Sequence, residues 1–233
     1  TVLKEAQANG YAEADPTADV EGYDACRKIA ILSSIISGKQ VDFEEIYTEG
    51  ISKITVEDML YAKAMKMTIK LIAECKREGD RLSACVAPVM LPAEHPLYSV
   101  NDVFNAVFVK GNMLGDAMFY GSGAGKLPTA SAVVADVIAA ALNQDKDVMN
   151  FWTGEKLELE DRRDTSRRFL VRMAGNKEEL QNRILADFGE VTFVQPEGLT
   201  GEFGFVTPVM TEGCYERKAD SYEEILHMIR VGE

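Results

Sequence analysis

Glu13, Asp24 and Lys28 are the residues whose types and spacing suit chemistry: two carboxylates and an amine in one short stretch. Asp24 and Lys28 are four apart, so on a helix their side chains share one face. Glu13 lies in the preceding loop, where it can fold back over that face. The three make an acid–base set around the mouth of a helix. The same spacing is ordinary for a solvated helix pair worth roughly 0.2–0.5 kcal/mol. Two features favour a site. The helix is strongly apolar, so its charged start abuts a cleft. Gly22 precedes the pair, where a side chain would crowd an approaching ligand.

The positioning element is a helix expected from about Glu21 to Ser37. Asp15-Pro16 marks the turn before it, since Pro fixes φ and needs no N–H partner there. Cys26, Ile29, Ala30, Leu32, Ile35 and Ile36 supply its apolar surface, and Gly38 ends it. A second stretch, Gly121-Ser122-Gly123-Ala124-Gly125, joins a strand to a helix expected over Ala130–Asn143. Its glycines let backbone approach a flat or anionic ligand closely, and a helix N-terminus favours negative charge. A glycine-lined turn that lets helix and sheet pack closely has the same composition. The spacing is neither a P-loop nor a Rossmann fingerprint. His95, between Pro92 and Pro96, is a candidate base or a loop residue bonded to backbone.

Residues 10–28 resemble the substrate-binding signature of homoserine dehydrogenases, which read much like GYxExDPxxDxxGxDxxRK. Gly10, Tyr11, Glu13, Asp15, Pro16, Asp19, Gly22, Asp24, Arg27 and Lys28 match every fixed position. The later run resembles that family's GxGAGxxPTASAVxxD, matched by Gly121, Gly123, Ala124, Gly125, Pro128, Thr129, Ala130 and Ser131. The resemblance implies hydride transfer between NAD or NADP and L-homoserine or L-aspartate 4-semialdehyde, in threonine, methionine and isoleucine biosynthesis. It implies that Glu13 grips the substrate ammonium, Lys28 exchanges the proton on the substrate oxygen, and Asp24 orients Lys28 or binds substrate. Such a lysine needs a pKa lowered by burial or a second cation. Gly121, Gly123, Ala124 and Gly125 are implied to lie beside the nicotinamide. A second lysine and most of the cofactor site belong to a nucleotide domain that this sequence lacks. The chain therefore reads as a C-terminal piece of such an enzyme, with little activity alone, and as a homodimer.

The 233 residues suffice for one large or two small domains. A net charge of −13 argues against nucleic acid and anionic membrane as partners. No apolar run approaches the ~20 residues of a membrane span, and the expected compartment is the cytoplasm. The sequence opens at Thr1 inside a helix-like pattern, the look of a longer protein's interior. Cys26, Cys75, Cys85 and Cys214 form no C-x-x-C, and with His95 and His227 far apart no zinc site is readable. Cys75 and Cys85 are expected to face each other across a hairpin as free thiols.

The expected fold is α+β: an antiparallel sheet covered by helices on one face, then a small ferredoxin-like, ACT-like domain. Asp42 and Thr55 cap short helices, the second running to about Lys66. Strands are expected at Thr68–Glu74, Leu82–Met90, Phe104–Val109 and Met113–Tyr120, the last two joined at Lys110-Gly111-Asn112. Residues 1–145 read as the substrate-binding and dimerisation domain and 146–166 as a linker. Residues 167–233 read as a βαββαβ module. In that module strands are expected at Arg168–Met173, Glu190–Gln195, Phe203–Val209 and Met228–Val231, with helices at Asn176–Phe188 and Ser221–His227. Its order resembles the ACT domain that many homoserine dehydrogenases carry, which implies an amino-acid effector; a packing module binding nothing has the same order. Arg162-Arg163 and Arg167-Arg168 read as a solvated charge run. The competing function is a non-catalytic dimerisation and amino-acid-sensing module.

Overall fold

The computed structural model describes residues 15–146 and 149–232. The helix expected over 1–8, and Gly10, Tyr11 and Glu13, lie outside the described residues. Contacts divide the chain into two compact units, Thr17–Tyr98 with Trp152–Glu233, and one built on Ser99–Phe151. This differs from the expected division at 145 and 166, for a reason visible in the strand pairing.

In the larger unit, a short helix α1 (Thr17–Val20) leads into α2 (Tyr23–Ser37). Gly38 closes α2 with φ +71°, its N–H bonded to Ser34 O, as its position foretold. A 3-10 turn (Phe43–Glu45) capped by Asp42 precedes β1 (Tyr47–Thr48). Thr55 and Asp58 form the expected capping box on α3 (Val56–Ala64). The hairpin of β2 (Met67–Glu78) and β3 (Arg81–Pro92) is antiparallel, but β3 pairs in parallel with β1, Tyr47 against Cys85. The sheet is therefore mixed, not antiparallel throughout. Cys75 stands opposite Ala84 and Cys85 opposite Glu74, so the two thiols point to opposite faces and do not meet.

The C-terminal segment contributes β6 (Ser166–Ala174), a helix Lys177–Phe188, β7 (Thr192–Val194), β8 (Glu202–Val206), β9 (Met210–Thr211), a helix Glu212–Ala219 and β10 (Ile225–Val231). Apart from the two-residue β9 the order is βαββαβ, with strands lying β10-β6-β8-β7. Phe169, Phe188, Phe205 and Tyr215 fill its core, each ring worth about 2–3 kcal/mol when fully buried. The second helix was expected at Ser221–His227 and starts nine residues earlier, at Glu212. Ser221-Tyr222-Glu223-Glu224 imitates a capping box, but Tyr222 is buried in the core and Ile225–Val231 pairs with β6. β10 also pairs in parallel with β3, Arg230 against Val89. One sheet thus runs from the first hairpin through the C-terminal module, which is why the two do not part at the expected boundary. Within the expected linker, residues 153–160 pack along the larger unit: Thr153, Leu157 and Glu160 donate backbone bonds to Gly38, Gln40 and Leu82.

The second unit holds β4 (Phe104–Gly111) and β5 (Gly115–Ser122), a two-stranded sheet of their own, then α4 (Lys126–Leu142). The turn falls two residues later than expected, across Asn112–Leu114, with Gly115 at φ +75°. α4 buries none of its residues; Leu127 is 83% and Leu142 72% exposed.

Candidate active site

The start of α2 is set by Gly22. It is the N-cap at φ +78°, a left-handed conformation that favours glycine. It is also buried: a Cβ there would sit 3.1 Å from Val86 Cγ1 and 3.4 Å from Thr48 Cγ2. The expectation that Gly22 clears space for a ligand is therefore corrected. It lets the helix start lie directly on β1 and β3. No side chain caps α2, so Asp24 in its first turn is the group that meets the helix dipole.

Asp24 and Lys28 are together as their spacing implied. Lys28 Nζ donates to Asp24 Oδ2 at 2.5 Å, with side chains 70% and 47% exposed. Among the described residues none buries the lysine. A pair this exposed contributes at most about 1 kcal/mol to stability. Ile31 and Ile35 continue the same helix face and are also exposed, so the pair stands at the polar end of an open apolar strip. Of the apolar surface expected on this helix, Cys26, Ile29 and Ala30 are buried, together with Ser33 and Ser34, while Ile35 and Ile36 are exposed. Glu13 lies outside the described residues. Arg27 turns elsewhere, its guanidinium 5.7 Å from the centre of the Phe43 ring.

In the second unit, Gly121 to Gly125 link β5 to α4. A Cβ on Gly121 would meet nothing within 4 Å, whereas one on Gly123 would lie 2.1 Å from Asn105 Nδ2. Gly121 thus leaves open space, and Gly123 admits the Asn105 side chain. Gly125 is at φ +116° and the first turn of α4 has no side-chain cap. Ala124 is partly buried between them. His95 accepts from the Leu97 N–H at its Nδ1, the backbone-bonded role of a loop histidine.

Two buried polar clusters escaped the sequence reading. Arg230, 2% exposed, binds Glu212 and Glu49. Burial disfavours its charge, but the Glu212 and Glu49 carboxylates outweigh that and raise its pKa. Arg162 binds Glu212 and Glu216 and stacks 4.2 Å from the centre of the Tyr47 ring. Arg167 pairs with Glu74. These two arginines are therefore partnered, not a solvated run. In the other cluster, fully buried Asp58 binds Arg172 and His227. Burial works against its ionisation, yet bonds from His227 and Arg172 prevail and lower its pKa to about 2. Carboxylates and guanidiniums far apart in sequence gave no local signal. No group of His, Cys, Asp and Glu among the described residues is arranged to hold a metal, and no described helix is long and apolar enough to cross a membrane.

The homoserine dehydrogenase family profile matches residues 1–138, more than half of the chain. The chain belongs to the homoserine dehydrogenase family. It is 48% identical over 158 residues to the homoserine dehydrogenase of Bacillus subtilis, covering 67% of this chain and 36% of that one. To that of Mycobacterium tuberculosis it is 52% identical over 149 residues, 62% of this chain and 34% of that one. The crystal structure of a homoserine dehydrogenase from Thiobacillus denitrificans superposes with a TM-score of 0.83 at 33% identity. It covers 100% of this chain and 58% of that one. The Staphylococcus aureus enzyme at pH 7.0 gives 0.80 at 30% identity, with 99% and 58% covered. The chain spans about a third of the length of the curated relatives it matches. The C-terminal module lies beyond the profile match but within the superposed structures.

Proposed function

We propose that this chain supplies the substrate-holding and proton-transfer part of a homoserine dehydrogenase, interconverting L-homoserine and L-aspartate 4-semialdehyde. The observation that carries this is the Asp24–Lys28 pair at the start of α2, inside the segment that matches the family. In the reducing direction, Lys28 Nζ gives a proton to the aldehyde oxygen as the carbon becomes an alcohol; in reverse it takes that proton back. Asp24 orients the ammonium by its charge-assisted bond. Glu13 would hold the substrate ammonium. The open strip below the pair leaves room for a neighbouring domain to close over it and lower the local dielectric.

NAD or NADP, when bound, would supply or accept the hydride. The open backbone at Gly121, the left-handed Gly125 and the uncapped start of α4 fit a flat polar ring, with Ala124 beside it. The sequence has no G-x-G-x-x-G to hold a pyrophosphate, so these residues fit only the nicotinamide end. The bare faces of α4 and of the β4–β5 hairpin fit burial against the rest of a longer protein or a second copy, in a homodimer. As roles along the chain and not as separate compact units, we read residues 1–145 as substrate-binding and dimerising, 146–166 as linking arm and 167–233 as an ACT-like module able to take an amino-acid effector. The setting is cytoplasmic threonine, methionine and isoleucine biosynthesis.

The test is a steady-state assay of this chain beside the full-length protein, with L-homoserine and each nicotinamide cofactor. The full-length protein turns over and the chain alone does not. Comparable rates from the chain alone would overturn the division of labour, and an inactive full-length protein would overturn the activity.

A further inference from the structure

The loop after β1 makes a closer approach to the candidate site than any motif announces. Glu49 N–H donates to Val86 O at 2.8 Å, and Ile51 N–H donates to Val20 O at 2.8 Å. Between them the chain passes over the junction of α1 and α2. A Cβ on Gly50 would fall 2.3 Å from Val20 O and 2.4 Å from Glu21 Cα. Both are backbone atoms, so nothing can swing aside. Gly50 does not have a left-handed φ; what it supplies is space. Ser52 Oγ adds a bond to Glu21 Oε2 at 3.3 Å. Val20 and Glu21 immediately precede Gly22, and Asp24 follows two residues later.

The same loop is gripped from the other side by the C-terminal module. Arg230 on β10 donates through Nη1 to Glu49 Oε2 at 2.7 Å. Its Nε and Nη2 are held by Glu212 at 3.1 and 2.5 Å. Tyr47, just before the loop, lies beneath Arg230 and Arg162. Direct bonds thus run from β10 through Glu49 and Ile51 to the backbone that starts α2.

We propose that Glu49, Gly50 and Arg230 are positioning residues: they fix the start of α2, and with it Asp24 and Lys28, by clamping the 49–51 loop onto Val20–Glu21. Its kinetic arm rests on the dehydrogenase reading above; its exchange arm does not. In the full-length protein, hydrogen exchange is followed in peptides covering residues 17–31 and, as a control, 177–188. Gly50→Ala speeds exchange in 17–31 by about tenfold and Glu49→Gln by about threefold, since a local opening reads out lost local bonds. Exchange in 177–188 stays unchanged. In the kinetic arm both variants raise KM for L-homoserine, the alanine by about tenfold, because misplaced binding groups weaken substrate holding. A merely structural lesion would lower the active fraction and leave KM alone. Unchanged exchange in 17–31, or an equal rise in both segments, overturns the proposal. Should Gly50→Ala fail to fold, Glu49→Gln decides, because Arg230 keeps its Glu212 partner. An inactive full-length protein refutes the dehydrogenase reading while the exchange result still judges the clamp.

Discussion

Replacing Asp58 by asparagine keeps the side chain's shape and removes its charge. Asp58 is fully buried. Its Oδ2 accepts the Thr55 N–H at 2.8 Å, its Oδ1 accepts from Arg172 Nη1 at 2.7 Å, and both oxygens lie 3.0 Å from His227 Nδ1. An ionised carboxylate only accepts, so that ring nitrogen carries the hydrogen. The bonds join α3 to β6 and β10. Burial opposes the charge, but the His227 and Arg172 bonds lower the pKa from 3.8 to about 2. Each pKa unit is worth about 1.4 kcal/mol, so ionisation stabilises the fold by about 2 kcal/mol at pH 7. A lowered folded-state pKa sets the sign: the contribution is whole above the unfolded value of 3.8 and disappears as pH falls through about 2. About 1 kcal/mol should remain at pH 3. Urea unfolding of the parent chain and Asp58→Asn between pH 7 and pH 3 measures this difference. A penalty below about 0.5 kcal/mol at pH 7, or one that stays constant with pH, would refute the reasoning.

Gly22→Ala meets both a left-handed φ and Val86, and should destabilise by about 1–2 kcal/mol in denaturant titration; a neutral effect would mean the α2 start has slack. Gly204→Ala places a Cβ 2.6 Å from the Tyr61 ring, and overpacking there should cost about 1–3 kcal/mol by the same measurement. Calorimetric titration of the full-length protein with L-threonine and with L-homoserine should detect L-homoserine; binding of L-threonine alone would favour the sensing module over the enzyme.

Signals confined to a few residues were legible. Gly38, the Thr55–Asp58 box, the β2–β3 hairpin and the Asp24–Lys28 spacing each act within one turn or one strand pair, so sequence carries them whole. Pairings set by tertiary packing were not. The parallel partners of β3 come from Tyr47–Thr48 and from β10, more than a hundred residues apart in sequence, and neither leaves a periodic trace. That is why an antiparallel sheet and a detached module were expected where one mixed sheet exists. Tyr222 shows tertiary burial overriding a cap-like sequence. Gly22 and Gly50 show that composition marks where backbone is close without saying to what. The open state of Lys28 was unreadable because what surrounds a side chain depends on the chain opposite it.

The central claim is that the amine on the first turns of α2 moves the substrate proton. Steady-state kinetics of Lys28→Ala in the full-length protein test it most directly. The account predicts a loss in kcat of about 10²-fold or more, the scale of general acid–base catalysis. A loss of less than about threefold, with the variant folded, would contradict it, because proton transfer of that scale would then have to come from another group.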